Sequence, residues 1–213
     1  DTSGNGNKQT EYIIYNVLKK QDDTGEDDTA PFFGNATVQR QNIDNVTFVS
    51  STAGKNSTAW DVSAQGDGSI LAWYTKNSNG TFKVYVGSDY EIFGNTDSSY
   101  LFRSVGVSEN CTSTETIIDL LNVSNVTNMF RMFEKTGWTA MTKLDLGNNF
   151  DTSNVITMAA MFSGTGTVSM KSLNLGPNFN TSRVTDMNYM LSCTGYLSMT
   201  SLDLGNNFDT SNV

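Results

Sequence analysis

The sequence predicts a β-rich α+β protein, in which a β cap domain precedes a solenoid with one short strand and one short helix per repeat. Two observations support this fold class: a 29-residue repeat fills the last part of the chain, and β-prone runs bounded by turn signals fill the middle. Apolar residues make up 37% of the chain, which is on the low side for a globular protein, but charged residues make up only 16%, too few for a solvated disordered chain. We therefore expect an acidic segment at 1–30, a cap domain at 31–114 and a solenoid at 115–213.

The acidic segment contains an apolar, β-prone run from Tyr12 to Leu18, which could form a strand or a helical turn. The cluster from Asp22 to Asp28 could hold a calcium ion. It lacks the alternating spacing of a calcium loop, however, so we interpret it as a solvated turn and expect no metal site or cofactor.

The middle of the chain is predicted to be all-β. Runs at 69–75 and 81–86 are separated by a segment that ends in Asn79-Gly80, which predicts a β-hairpin. Upstream, the loose alternation from Val38 to Ser50 predicts at least one more strand.

The repeat is unambiguous. Residues 144–155 recur letter for letter at 202–213, and a variant lies between them at 173–184, each copy 29 residues from the next. A fixed period of about 20–50 residues indicates a solenoid. We place the repeats at starts near 115, 144, 173 and 202; the first is degenerate, with Glu115 and Ile117 in place of two leucines.

Each unit fits a leucine-rich-repeat template, as in Met141-x-x-Leu144-x-Leu146-x-x-Asn149. Strand alternation points the leucines inward and leaves an outer strand face as the candidate binding surface. That face comprises Lys143, Asp145, Ser172, Asn174, Ser201 and Asp203. We expect an inward ladder of Asn149, Asn178 and Asn207 to satisfy buried turn backbone. Strand alternation does not settle whether the phenylalanines that follow, at 150, 179 and 208, point inward or outward.

A short helix is predicted after each strand. Ser153 is a suitable N-cap, and Val155, Met158, Met161 and Phe162 follow at helical spacing. The same pattern occurs in the neighbouring repeats. A methionine stripe can be a promiscuous binding groove, but inside a repeat we interpret it as core.

Composition argues against several functions. The net charge of −9 disfavours binding to nucleic acid or anionic lipid. With no histidine, Ser-His-Asp and Cys-His catalysis are impossible, and we expect no enzyme. No apolar run approaches the roughly 20 residues of a membrane span. Cys111 and Cys193 lie nearly three repeats apart, too far for a disulfide if both lie in the array, and Cys193 is expected to be buried.

The string Leu-x-Leu-x-x-x-Phe-Asp-Thr-Ser-x-Val-x-x-Met-x-x-Met-Phe, carried by residues 144–162, resembles the BspA-like leucine-rich-repeat surface proteins. The segments 60–63, 67–73 and 97–102 also resemble the region that precedes those repeats. This resemblance implies a secreted or wall-displayed protein of a bacterium or unicellular eukaryote. It implies a role as an adhesin or interaction scaffold, with no catalytic residues to carry over.

Glycosylation sequons are a second extracellular signal. They occur eight times, and the candidates are Asn35, Asn45, Asn56, Asn79, Asn110 and Asn125. Composition alone predicts about 5.6, since each of the 24 Asn has a 50-in-213 chance of a Ser or Thr two residues on. The other two, at Asn122 and Asn180, align with Asp151 and Asp209, which suggests that a turn selects Asn or Asp there.

Two functions remain. The first is an extracellular adhesin or interaction scaffold whose strand face binds a protein or a surface glycan. The second is a structural subunit of a self-assembling filament or coat. The chain begins at Asp1 and stops inside a repeat, so we interpret it as a processed or excerpted piece. If Val213 were the natural end, the open solenoid could accept the Tyr12–Leu18 segment of another copy, head to tail.

Overall fold

The computed structural model describes residues 16–22 and 27–213, which fold into short strands joined by turns. The strands are β1 (Pro31–Phe32), β2 (Asn35–Gln39), β3 (Ile43–Val49), β4 (Trp60–Asp61), β5 (Leu71–Lys76), β6 (Phe82–Gly87), β7 (Ile92–Phe93), β8 (Glu115–Ile117), β9 (Leu121–Asn122), β10 (Lys143–Asp145) and β11 (Ser172–Asn174). A single 3-10 turn, Arg40–Asn42, is the one helical element in these residues, and none of their helices could span a membrane.

The largest sheet has five strands in the order β4-β5-β6-β3-β8. The hairpin that Asn79-Gly80 predicts is confirmed, since β5 and β6 pair antiparallel and Gly80 adopts a positive φ in the connecting turn. Strand β3 lies between β6 and β8 and pairs parallel with both. Because β8 comes after the predicted cap boundary at 114, this sheet joins the cap to the repeats.

Apolar side chains of the central strands fill the core of the cap. Val46 and Phe48 on β3, and Val84 and Val86 on β6, are all buried, as period-two alternation requires. Each contributes about 1.5–3 kcal/mol by leaving water. The same core continues without a break into the repeats.

The predicted repeat helices are wrong. Each segment that was expected to be helical contains one residue with positive φ, which a right-handed helix excludes, and two more such residues follow directly after it. In the middle repeat these are Ala160, Gly164 and Gly166. The equivalent residues are Arg131, Lys135 and Gly137 in the repeat before, and Tyr189, Cys193 and Gly195 in the repeat after. The backbone therefore turns repeatedly instead of winding into a helix.

These turn segments hydrogen-bond in two directions. Alternate N–H groups close turns onto the carbonyl three residues back, as Met161 donates to Met158. The N–H groups between them donate to the next repeat: Met158, Ala160, Phe162 and Gly164 donate to Asp186, Asn188, Met190 and Ser192. Four such bonds join each neighbouring pair of turn segments from residue 98 to residue 192. The N–H groups that would bond within an α-helix therefore bond alternately within a turn and to carbonyls of the neighbouring repeat.

Strands supply a second set of contacts between repeats. β10 and β11 pair parallel in register, Leu144 beside Leu173, and an isolated bridge joins Asn174 to Asp203. Leu144, Leu146, Leu173 and Leu175 are buried as predicted. Phe150 and Phe179, whose direction the sequence did not settle, are buried too.

The predicted α+β solenoid, with a strand and a helix in each repeat, is therefore not the observed fold. The described residues form a nearly all-β protein of several small sheets, with no α-helix. Turn segments 29 residues apart in the sequence lie side by side and hydrogen-bond to each other in register. They do not form the helical face that the methionine spacing suggested.

The degenerate first unit is shifted by one residue. Thr116 and Ile118 are buried, whereas Glu115 and Ile117, which align with the inward leucines, are exposed. Pairing with β3 explains the shift, because Val46, a buried residue, lies opposite Thr116. The outer surface of β8 consequently presents one acid and one apolar side chain.

Two fully buried arginines tie the parts of the chain together. Arg40 donates to the Tyr100 carbonyl at 2.6 Å and to Gln21 Oε1 at 2.8 Å. Arg103 donates from Nε to Glu134 Oε2 at 2.7 Å. Burial, followed by repulsion from Arg103, lowers the pKa of Arg40 to about 10. These contacts join the N-terminal segment, the cap and the repeats.

Candidate functional site

The six residues of the predicted strand face lie on one surface. Pairing places Lys143 beside Ser172 and Asp145 beside Asn174, and the next bridge places Asn174 beside Asp203. All are exposed except Asp145, which is half-buried. Ser201 lies two residues before Asp203, at the position equivalent to Ser172.

Three residues of this face also hold the backbone after each strand. The side-chain oxygens of Asp145, Asn174 and Asp203 each accept the N–H of the residue two positions later, at 2.9–3.1 Å. Those donors are Gly147, Gly176 and Gly205, which all have positive φ. Asn174 also donates to Asp145 Oδ1 at 3.0 Å. These side chains therefore have structural partners and offer only part of their hydrogen-bonding capacity to a ligand.

Beside this face, a groove of about 680 Å³ opens between β8 and β10. The two strands approach within 8 Å between Cα atoms, yet no backbone hydrogen bond joins them among the described residues. From β8 the groove takes Glu115 and Ile117, and from β10 it takes Lys143 and Asp145. Asp119, in the turn after β8, forms its floor together with Asn149.

A second depression of about 580 Å³ continues from the first, since Asp119 and Asn149 line both. It is lined by the turn before β7, including Tyr90 and Glu91, and by Leu120. We call the two together the acidic groove. Its six acidic side chains are Asp89, Glu91, Glu115, Asp119, Asp145 and Asp151, and its one basic side chain is Lys143.

Most of the acidic groove was missed by reasoning from the sequence. Lys143 and Asp145 were identified, but Glu115, Asp119 and Leu120 were not, because the first unit was aligned without its one-residue shift. The available signal was the absence of the Leu-x-Leu pair at 115–117. The first unit, where the Leu-x-Leu pattern fails, is the unit whose outer surface differs from that of the other repeats.

The predicted inward ladder of asparagines is exposed to solvent instead. Asn149, Asn178 and Asn207 all lie at the surface. Asn178 donates to the Asn148 carbonyl at 2.7 Å, and Asn207 donates to the Pro177 carbonyl at 2.9 Å. These amides bridge neighbouring turns from outside, while the phenylalanine one residue later occupies the interior.

The glycosylation candidates differ in exposure. Asn56, Asn79 and Asn110 are exposed, and Asn35, Asn45 and Asn125 are half-buried. Several of them accept the N–H of the residue two positions on, a local Asx turn: Thr37 donates to Asn35, Thr58 to Asn56 and Thr81 to Asn79. Aspartates make the same bond, as Ser63 donates to Asp61 and Ser153 to Asp151.

Both cysteines are free. Cys111 is buried, and burial together with the nearby Asp44 carboxylate raises its pKa to about 12. Cys193 is exposed, contrary to the prediction of a buried residue, and it occupies one of the left-handed positions of the last turn segment. Within residues 16–22 and 27–213, no cluster of three His, Cys, Asp or Glu side chains could hold a metal ion.

The N-terminal segment is only partly described: residues 12–15 and 23–26, which include parts of the apolar run and of the acidic cluster, lie outside the described residues. The end of the apolar run packs within its own chain. Leu18 is buried, donates to the Phe93 carbonyl at 2.9 Å and bridges to Ser63. Val17 bridges to Phe93.

The fold and the groove define a β protein with hydrogen-bonded repeats and an acidic, polar outer surface. The chain belongs to the family described as "Mycoplasma protein of unknown function, DUF285", which matches residues 96–213, more than half of its length. The match covers the repeats and the turn segment that precedes them. No curated protein and no solved structure matches the chain.

Proposed function

We propose that this protein is displayed outside the cell and acts as an adhesin or protein-interaction scaffold. The acidic groove is the observation that carries this proposal. It combines two adjoining depressions, of about 680 and 580 Å³. The repeats that support it are held to each other by backbone hydrogen bonds. Binding surfaces placed on rigid elements lose little conformational entropy when a partner docks.

Three further features support a binding role. The resemblance of residues 144–162 to BspA-like surface proteins favours an extracellular location. The groove is lined by amides and carboxylates, which accept and donate hydrogen bonds to a polar partner. The fixed backbone turns at Gly147 and Gly176 keep the strand face in one conformation.

The filament alternative gains no support from the segment that was to join the copies. Leu18 and Val17 already pair with Ser63 and Phe93 of their own chain, so a neighbour could use them only after they detach. Detaching Leu18 would expose a side chain that is 1% exposed, at a cost of about 1.5–3 kcal/mol.

Location and adhesion can be tested together in cells that express the protein. An antibody raised against the folded chain is expected to stain intact cells, and its Fab fragment is expected to reduce their attachment to host surfaces. Beads coated with the protein should attach to the same surfaces, and free protein should compete with them. Beads coated with heat-unfolded protein serve as the matched control. Staining that appears only after the cells are permeabilised would refute the extracellular location.

A further inference from the structure

We infer, on the basis of the proposed scaffold function, that the acidic groove binds an extended basic peptide segment in which cationic and apolar side chains alternate. The partner class follows from three properties of the groove: its charge, the apolar side chains that it leaves exposed, and the opening between β8 and β10.

Charge selects a cationic partner. Six acidic side chains and one lysine line the groove, and Lys143 is already close to Asp145, at 3.4 Å. The chain as a whole carries −9, so an anionic partner would be repelled both at long range and in the groove. Complementary charge raises the association rate and fixes the register of the bound segment.

Apolar contacts select a peptide over a bare cation. Ile117 is 43% exposed, Leu120 is 45% exposed and Tyr90 is 74% exposed, and all three line the acidic groove. In the sequence, Ile117 and Leu120 lie on either side of Asp119, and Tyr90 lies between Asp89 and Glu91. Tyrosine is enriched among the residues that anchor protein partners.

The opening between β8 and β10 sets the conformation of the partner. A strand inserted between two others needs about 9.6 Å between them, twice the normal spacing of about 4.8 Å. β8 and β10 approach within 8 Å, so the partner cannot insert as a strand and must lie along the outer surface.

Two buried hydroxyls lie in the wall of this opening. Thr114 and Thr116 are 2% and 8% exposed, both line the groove, and neither Oγ1 atom has a hydrogen-bond partner. A buried hydroxyl without a partner costs about 1–3 kcal/mol. Period-two alternation turns both side chains to the inner side of β8, away from a peptide that lies along the outer surface.

Labelled synthetic peptides test the partner class by fluorescence anisotropy. The probe is Gly-Lys-Val-Lys-Val-Lys-Val-Lys-Gly. Its two controls replace every Lys by Glu, or every Val by Ser. We expect the Lys/Val peptide to bind at least about tenfold more tightly than either control. Its affinity should fall as salt rises to about 0.15 M. Equal binding of the Glu/Val peptide, or binding of a neutral oligosaccharide in place of all three peptides, would overturn the inference.

Paired substitutions locate the site. Glu115→Gln with Asp119→Asn removes two charges from the groove, and Asp67→Asn with Glu109→Gln removes two exposed charges elsewhere. Ile117→Ser with Leu120→Ser removes groove contacts, and Ile156→Ser with Val168→Ser removes two side chains of similar exposure outside it. The groove pairs should weaken binding about fivefold or more, and the control pairs less than about twofold.

Thermal melts of the four double variants show whether each is folded. If all four weaken binding equally, the groove is not the site and the inference fails. Peptide binding is measured on purified protein, so it does not depend on where the protein resides. A protein that mediates attachment but binds no basic peptide refutes the inference and leaves the proposed function in place. An intracellular protein that binds the peptide refutes the proposed function alone.

Discussion

At the scale of single residues, one local bond explains the unusual composition. A side-chain oxygen of Asn or Asp accepts the N–H two residues on, and Ser or Thr often occupies that second position. Asp27, Asp67, Asp97, Asn122, Asn180 and Asp209 all make this bond. Because Asp serves as well as Asn, the abundance of glycosylation sequons follows from turn formation. Whether any of them is glycosylated stays a prediction.

The two cysteines give a prediction at this scale. Cys111 is buried and its pKa is raised to about 12 by burial and by Asp44, so almost none of it is thiolate at neutral pH. Cys193 is exposed. A maleimide should therefore label one cysteine per folded chain and two per chain in denaturant. The variant Cys193→Ser should abolish labelling of the folded protein, whereas Cys111→Ser should leave it unchanged. Labelling of both cysteines in the folded chain would contradict the buried position of Cys111.

At the scale of elements, the sequence predicted which residues are buried better than it predicted their backbone. Val155, Met158, Met161 and Phe162 are all buried, as a helical face requires. A series of turns buries the same positions, so apolar spacing could not distinguish the two structures. Gly164 and Gly166 could not discriminate between them, because they follow the proposed helix and glycine is common just after a helix end. The positive-φ residue within the proposed helix is Ala160, which carries no such signal.

Replacing Gly164 by alanine separates the two structures. If the helix predicted up to Phe162 continued through residue 164, this substitution would stabilise the protein by up to about 1 kcal/mol. In the observed turn, Gly164 has φ +70°, and an added Cβ would lie 2.8 Å from the Trp138 ring. We therefore expect a loss of stability of at least about 1–2 kcal/mol, measured by urea denaturation.

Ser163→Ala is the matched control, because Ser163 is adjacent, has no positive φ and should change stability by less than about 0.5 kcal/mol. A Gly164→Ala variant more stable than the wild type would mean that the segment is helical after all.

The strands show where periodic reasoning succeeds and where it stops. Leu144 and Leu173 were placed correctly, because identical units in register repeat one environment. The first unit pairs instead with β3 of the cap, and this non-local partner sets its register. The absence of the Leu-x-Leu pair at 115–117 marks this unit as different but does not identify β3 as its partner. The acidic groove lies at this junction and for that reason could not be predicted from the repeats.

At the scale of the whole molecule, buried polar groups join parts that the sequence treats as separate domains. Asp28 lies 3.7 Å from the Arg103 guanidinium and 3.5 Å from the Lys135 ammonium, so the acidic segment is tied to two turn segments. Arg40 connects Gln21 to the Tyr100 carbonyl. Replacing one partner of such a buried pair leaves a charge uncompensated. Because contacts such as Arg103 to Glu134 cross residue 114, we expect the residues on its two sides to unfold together; the domain boundary at 114 stays a prediction.

Acid should destabilise the folded chain, since turn-forming carboxylates must stay ionised. For Asp97, burial raises the pKa, but bonds from Lys20 and Ser99 outweigh it and leave the pKa below its ordinary value of 3.8. The backbone bonds from Thr52 to Asp89 and from Ser211 to Asp209 lower those pKa values as well. A carboxyl whose pKa is lower in the folded state stabilises it above pH 3.8, and this contribution is lost as the pH falls through the folded value.

Urea denaturation at about pH 7 and about pH 3 measures this loss. Acidification also relieves the repulsion within a chain of net charge −9, so the comparison needs a variant that removes one titrating group. Asp97→Asn keeps an oxygen to accept the Ser99 N–H but cannot ionise. At neutral pH it should be less stable than the wild type by under about 1 kcal/mol, because the ion pair with Lys20 is partly exposed. At about pH 3 the difference should shrink, since the wild-type carboxylate is then partly protonated. A difference that stays constant with pH would mean that the ionised state of Asp97 does not stabilise the fold.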